Sequence, residues 1–172
     1  QGLYSAYLDK QAMSLKGLHL EPAIKGQVWN LAAFDGQQLC GNNEETFDVS
    51  NKQVSVISPV RGGMCIKKGV INGQEVLVQG TYTELCIYLK KDGKWKFSHA
   101  VEEFLNPIRY IEIDYTGTIW ATHMHQGLYK IQLSQDLHKI VSMKTYNSLD
   151  GKNEFNNNVF SINNRVVFTD QT

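Results

Sequence analysis

The segment Asp114-Tyr115-Thr116-Gly117-Thr118-Ile119-Trp120-Ala121-Thr122, followed by Gly127-Leu128-Tyr129-Lys130-Ile131, recurs along the chain in weaker copies. Anchored on the turn residue, Gly36 precedes Gln37-Gln38-Leu39-Cys40, Gly73 precedes Gln74-Glu75-Val76-Leu77, and Asn164 precedes Arg165-Val166-Val167-Phe168. With Gly117 between Gly73 and Asn164, successive anchors lie 37, 44 and 47 residues apart. A short β-rich unit repeated every ~40 to 50 residues is the signature of a β-propeller, whose blades are four-stranded antiparallel sheets that bury their faces on one another. The expected fold class is therefore all-β, a fragment of a β-propeller.

Alternation and turn chemistry divide each unit into strands. In the third unit Ile108-Arg109-Tyr110-Ile111-Glu112-Ile113 alternates in β fashion, residues 114–117 turn, and strands follow over 118–122, 128–133 and 139–143. The second unit repeats this over 64–70, 75–79, 85–89 and 95–99, with Asn72-Gly73 and Asp92-Gly93 as hairpin turns. The first runs over 28–33, 38–40, 46–49 and 53–57. Gly2-Leu3-Tyr4 matches the third strand at Gly127-Leu128-Tyr129, so the chain opens in mid-blade, and 159–162 with 166–169 supply only two strands at its other end. The expected division is a half blade over 1–24, whole blades over 25–58, 59–104 and 105–147, and a half blade over 148–172. Either the halves share one closing blade in a four-bladed ring, or the chain is a stretch of a longer propeller; the second reading is preferred. An open sheet edge seeks a partner, from the parent chain's remaining blades or from a second copy as a homodimer.

Composition narrows the partners. Lys and Arg balance Asp and Glu at a formal net charge of zero, without the basic surplus that a nucleic acid or an anionic membrane demands. The longest apolar runs, such as Val54-Ser55-Val56-Ile57, fall far short of the roughly 20 residues that span a bilayer. A start at Gln1 instead of Met reads as an excised piece. Cys40, Cys65 and Cys86 sit in apolar strand contexts without CxxC spacing, which favours small buried thiols over a disulfide, a metal site or a nucleophile.

The pattern of a turn Asp-x-x-Gly, then x-Ile-Trp-x-x-Thr, then Gly-Leu-Tyr, together with Tyr146-Asn147-Ser148-Leu149 and Asn156-Asn157-Asn158-Val159-Phe160-Ser161-Ile162, resembles the two-component regulator propeller repeat. Leu39 and Val76 stand where that pattern has Trp120, and Thr46-Phe47 and Glu84-Leu85 stand where it has Gly127-Leu128. The resemblance implies the periplasmic sensor region of a hybrid two-component system of Bacteroidetes, responding to glycan breakdown products. It places catalysis in a histidine kinase outside these 172 residues, so that this chain is expected to be a non-catalytic sensor with an oligosaccharide as ligand.

The residues themselves carry no enzyme signature. Glu44-Glu45, Glu102-Glu103 and Asp114 have no spacing that pairs an acid with a base, and no serine lies in a nucleophile elbow. Trp120 reads as packing between blades. His123 and His125 share a strand face and could meet a metal, contact a ligand, or form a plain surface turn; without a visible third ligand no metal or other cofactor is expected. In an up-and-down blade, the turns after the second and fourth strands fall on one end. That end collects Asn42-Asn43-Glu44, Thr81-Tyr82-Thr83, 123–126, Pro59-Val60-Arg61-Gly62, Asn106-Pro107-Ile108-Arg109 and 153–158. Arginines, amides and a tyrosine are groups that hydrogen-bond and stack on sugars, so Arg61, Tyr82, Arg109, His123, His125, Asn156 and Asn157 are the candidate ligand contacts. A propeller enzyme acting on polysaccharides, or a protein-interaction scaffold, are the alternatives.

Overall fold

Two-residue turns with both residues at positive φ set the architecture. Asp35-Gly36 (52° and 83°), Asn72-Gly73 (52° and 79°) and Asp92-Gly93 (54° and 76°) form them. This geometry matches the right-handed twist of the strands it joins, and Asn-Gly and Asp-Gly adopt it at least cost. The computed structural model describes residues 1–51, 53–146, 158–163 and 165–169. Among them every strand is antiparallel to its neighbours and no helix occurs.

A first hairpin pairs β1 (Tyr4–Asp9) with β2 (Ser14–Leu20). Three four-stranded meanders follow: β3 (Val28–Phe34), β4 (Gln37–Asn42), β5 (Thr46–Asp48) and β6 (Ser55–Ser58); β7 (Cys65–Ile71), β8 (Gln74–Gly80), β9 (Leu85–Lys91) and β10 (Lys94–Ala100); β11 (Ile108–Ile113), β12 (Ile119–His123), β13 (Gly127–Leu133) and β14 (Ile140–Tyr146). A last hairpin pairs β15 (Asn158–Ile162) with β16 (Arg165–Thr169). The two hairpins remain separate sheets, so no sheet is closed between them. Residues 147–157 lie outside the described residues, and with them the linking stretch after Tyr146 and the candidates Asn156 and Asn157.

The first strands adjoin in series, β3 beside β7, β7 beside β11 and β11 beside β15. The approach is close enough that a methyl group on Gly69 of β7 would strike the Ile113 side chain of β11. Central strands are buried on both faces, and their period of two sorts side chains between two interfaces. On β8, Val76 and Val78 join the cluster shared with the third sheet, whereas Leu77 packs toward the first. On β9, Leu85 and Ile87 make the same choice as Val76, and Cys86 and Tyr88 the opposite one. Leu39, Val76 and Trp120, which align on their turn glycines, all face the sheet that follows. A fully buried aliphatic side chain contributes about 1.5–3 kcal/mol, so these interfaces hold the stack together.

Buried polar groups join the sheets, while among the described residues Asn30 Oδ1 and Thr122 Oγ1 are buried without a partner. Gln79 Nε2 donates to Thr46 Oγ1 at 2.9 Å and Tyr88 Oη donates to Gln79 Oε1 at 2.6 Å, linking the first sheet to the second. Gln37 receives the Trp95 amide at 2.7 Å and donates to the Trp95 carbonyl at 3.1 Å, replacing the hydrogen bonds another strand would make. All three cysteines are buried and free. Burial pushes the Cys40 thiol up to about 11 and the Cys65 and Cys86 thiols up to about 12.

The third sheet departs from the two-residue turn. Asp114 organises a wider one, accepting the amides of Thr116 (2.9 Å) and Thr118 (3.1 Å) on one oxygen and the indole of Trp120 (2.8 Å) on the other. Burial pulls the Asp114 carboxyl upward, but the hydrogen bonds from Thr116, Trp120 and Thr118 outweigh it and leave its pKa lowered. Trp120 is half-buried, stacked on Tyr146 and on Phe168 of the last hairpin at centroid distances of 6.1 and 6.4 Å. No helix among the described residues is long and apolar enough to cross a membrane.

Candidate functional site

The connection after the second strand is built the same way in all three sheets. A buried polar residue at the strand end turns back and accepts amides of the loop. Asn42 Oδ1 accepts from Glu44 (2.8 Å) and Glu45 (2.7 Å). Thr81 Oγ1 accepts from Glu84 (2.8 Å) and Thr83 (3.2 Å), and His123 Nδ1 accepts from His125 (2.8 Å). Such side-chain-to-backbone bonds replace the ladder where the strand ends and hold a short loop in one conformation. The loops are thus rigid frames, and their outward side chains are free to meet a ligand.

Between the first two of these frames lies an open cleft of about 680 Å³. Asn43 and Glu44 form one wall, Tyr82, Thr83 and Glu84 the other, and Pro59, Val60 and Arg61 of the β6–β7 link the third. Arg61 Nη2 donates to Glu44 Oε2 at 2.6 Å, and Asn43 Nδ2 donates to the other oxygen at 2.9 Å. Both partners of this ion pair are at least half exposed, so it adds on the order of 1 kcal/mol or less to stability. Its significance is positional: it ties two walls of the cleft together.

Tyr82 is the best-fixed member. Its amide donates to the Arg61 carbonyl at 3.4 Å, its ring lies against Gly62 (φ 75°), and its hydroxyl accepts the Trp29 indole N–H at 2.8 Å. The two rings meet edge to face, with centroids 6.2 Å apart and planes at 78°. A side chain at position 62 would collide with the tyrosine, so only glycine permits this seat.

Trp29 is absent from the set read from sequence, because Val28-Trp29-Asn30 looks like an ordinary alternating strand. In the structure Val28 pairs with Asn42 and Asn30 with Gly41, leaving Trp29 as the extra residue of a β-bulge. Arg109 is the extra residue of the corresponding bulge on β11, between the pairs Ile108–His123 and Tyr110–Thr122. Bulges re-aim side chains at the ends of strands. Here they leave Trp29 37% exposed and Arg109 exposed, with the guanidinium 5.3 Å from the Tyr110 ring centroid.

The sequence-derived candidates accordingly separate. Arg61 and Tyr82 share the cleft with Glu44, which sequence reading did not single out. Arg109 belongs to another sheet and does not line this cleft. His123 is only 9% exposed, packed edge-on to Tyr129 at 5.8 Å. Burial, with a smaller contribution from His125, lowers its pKa, in keeping with an Nδ1 that accepts a hydrogen bond. His125 is exposed on the loop, its ring 6.2 Å from that of His123. Among the described residues no group of three His, Cys, Asp or Glu side chains is placed to hold a metal ion. A second hollow, of about 480 Å³, lies between the first hairpin and the first sheet, where Leu3, His19, Glu21, Leu31 and Val54 are among its lining residues. Comparison with known protein families, curated proteins and solved structures returned no match to this chain.

Proposed function

We propose that this chain is a ligand-sensing module without catalytic chemistry of its own, a section of a β-propeller that takes an oligosaccharide on the end carrying Arg61 and Tyr82. The carrying observation is the cleft in which a guanidinium, an amide, carboxylates and a fixed tyrosine converge on rigid loops. Small-molecule sites have this form: a concavity with a few convergent polar groups and an aromatic wall. The propeller reading rests on three sequential four-stranded sheets packed face to face with their first strands in series. Placement in the periplasmic sensor of a hybrid two-component regulator rests on the repeat resemblance around Asp114, Trp120 and Gly127-Leu128-Tyr129.

In this reading the hollow beside the first hairpin is the place of two further strands of its blade. The exposed apolar side chains of the hairpins, among them Tyr7, Met13, Leu15, Phe160 and Ile162, then face further blades of the parent chain or a second copy. Those same side chains favour the scaffold alternative, in which they receive another protein.

The test is calorimetry of the full-length extracytoplasmic region against plant and host glycan fragments, with chromatography of the same samples. Binding without turnover is the expected result. Consumption of any glycan moves the reading to an enzyme, and absence of all glycan binding refutes the sensor.

A further inference from the structure

We infer that the cleft between the first and second four-stranded sheets selects an uncharged pyranose, seated on Tyr82, and that the Glu44–Arg61 ion pair turns acidic sugars away. The inference rests on the oligosaccharide reading and adds the chemical class of the ligand. Its starting point is charge. The charged lining residues are Glu44, Glu84 and Arg61, two carboxylates against one guanidinium. The single cation is already committed to Glu44 at 2.6 Å. A uronate entering the cleft would have to displace Glu44 from Arg61 and leave that carboxylate beside its own. Two like charges held close in a partly desolvated site disfavour one another.

The remaining groups suit hydroxyls. Because Tyr82 Oη accepts the Trp29 N–H, its own proton is free to be donated outward. Arg61 retains N–H donors beyond the Nη2 bond to Glu44, and the Glu44 oxygens retain acceptor capacity beyond the bonds from Arg61 and Asn43. Donors and acceptors are therefore both on offer, the pairing that a sugar hydroxyl uses in both directions. Pro59, Val60 and the Tyr82 ring supply apolar surface for the C–H face of a pyranose.

Rigidity favours selection over adaptation. Gly62 seats one side of the tyrosine, Trp29 holds its hydroxyl, and Thr81 fixes the loop that carries it. Trp29 does not line the cleft and acts as a positioning residue for Tyr82, with its indole close enough to report occupancy by fluorescence.

The experiment measures binding of neutral gluco-, galacto- and xylo-oligosaccharides and of oligogalacturonides of the same length, by calorimetry and tryptophan fluorescence, to the full-length protein that carries this chain. Wild type is expected to bind a neutral series at least about tenfold more tightly than the acidic one. Tyr82→Ala is expected to lose that binding by about tenfold or more, and Tyr82→Phe, which keeps the ring and the fold, by about threefold to tenfold. Glu44→Gln removes one carboxylate and releases Arg61, so it should gain about tenfold for oligogalacturonides with neutral binding changed by less than about threefold. A wild type that prefers the acidic series and loses it with Arg61→Ala overturns the selectivity and leaves the sensor reading intact. Neutral binding unchanged in both Tyr82 variants removes the ligand from this cleft, again leaving a glycan sensor with its site elsewhere. No binding of either series refutes the sensor reading and this inference with it.

Discussion

Replacing Gln79 with leucine tests how far the contact between the first and second sheets depends on the buried polar node that Gln79 forms with Thr46 and Tyr88. Gln79 has no exposed surface, and neither do Tyr88 and Thr46. Leucine is close in size, so little cavity results. What it removes is the acceptor of the Tyr88 hydroxyl and the donor to Thr46, leaving two buried hydroxyls to make do with each other and with Ser58. A fully stranded group costs about 1–3 kcal/mol, and with Ser58 and Thr46 still beside Tyr88 the loss is expected within about 1–3 kcal/mol in total. Tyr88→Phe should cost less, about 1–2 kcal/mol, because Gln79 Oε1 keeps Thr46 Oγ1 at 3.2 Å as a partner. The informative variant is the double one, Gln79→Leu with Tyr88→Phe. Only Thr46 is then left unpaired, so the double variant should be more stable than Gln79→Leu alone by about 1 kcal/mol or more. Equilibrium urea unfolding followed by circular dichroism reads all three differences. Additive losses, or a Gln79→Leu cost below about 0.5 kcal/mol, would refute the argument. The node also supports the site: a methyl group on Gly63 would collide with Gln79 Nε2, so the chain carrying Arg61 and Gly62 rests on this amide. Gln79→Leu is accordingly expected to weaken ligand binding in the cleft as well as the fold.

Trp120→Ala should destabilise by about 3 kcal/mol, the low end for truncating a packed tryptophan because the ring is half-buried, and an unchanged melting temperature would remove it from the packing between the third sheet and the last hairpin. For His123 the folded pKa lies below the ordinary value, so the unfolded chain binds the proton more readily; stability should fall as pH drops below about 6.5 and level off beneath the lowered value. His123→Asn, which keeps an acceptor for the His125 amide, should flatten that slope in urea unfolding between neutral and mildly acid pH, and an unchanged slope would show that another group carries it. The three thiols should resist an aromatic disulfide reagent in the native protein and react fully in urea, since burial keeps them protonated; rapid native labelling of any one would contradict its placement.

The sheets were legible because their turns are chemical. Asp35-Gly36, Asn72-Gly73 and Asp92-Gly93 announce hairpins, and unbroken apolar runs such as Val76-Leu77-Val78 or Leu85-Cys86-Ile87 mark strands buried on both faces. The end of the stack bearing Arg61 and Tyr82 was legible for the complementary reason, since its connections are longer and more varied. The cleft itself was not. Trp29 is displaced by a bulge that depends on which residue of β4 meets Val28, a register that no local pattern in β3 encodes. Glu44 becomes relevant only through Arg61, seventeen residues away and across a connection whose path the sequence does not state. The reading of His123 as one of several possible site residues lacked the fact that Asn42 and Thr81 hold the same structural position. The spacing from turn glycine to cap differs between sheets, six residues from Gly36 to Asn42 and eight from Gly73 to Thr81, which hides the equivalence.

Under the proposed sensor function, the location of the cleft would couple a bound ligand to the arrangement of two sheets. Its walls belong to different sheets, Asn43 and Glu44 to the first, Tyr82 to Glu84 to the second, with the link between them as the third side. A ligand held within one loop would stabilise that loop alone. One that touches both walls has an affinity that depends on how the sheets are rotated against each other, and a ligand shifts an equilibrium only by its difference in affinity between two states. The Gln79 node and, at the hairpin-turn end of the same two sheets, the Gln37–Trp95 bonds hold one such arrangement with directional hydrogen bonds, where apolar packing would tolerate sliding. At a concentration one hundred times its dissociation constant, a ligand that binds only that arrangement stabilises it by about 2.7 kcal/mol. That is comparable to the cost of stranding one or two buried hydroxyls, so a ligand bound as proposed and the Gln79 node would act on the same interface with similar strength.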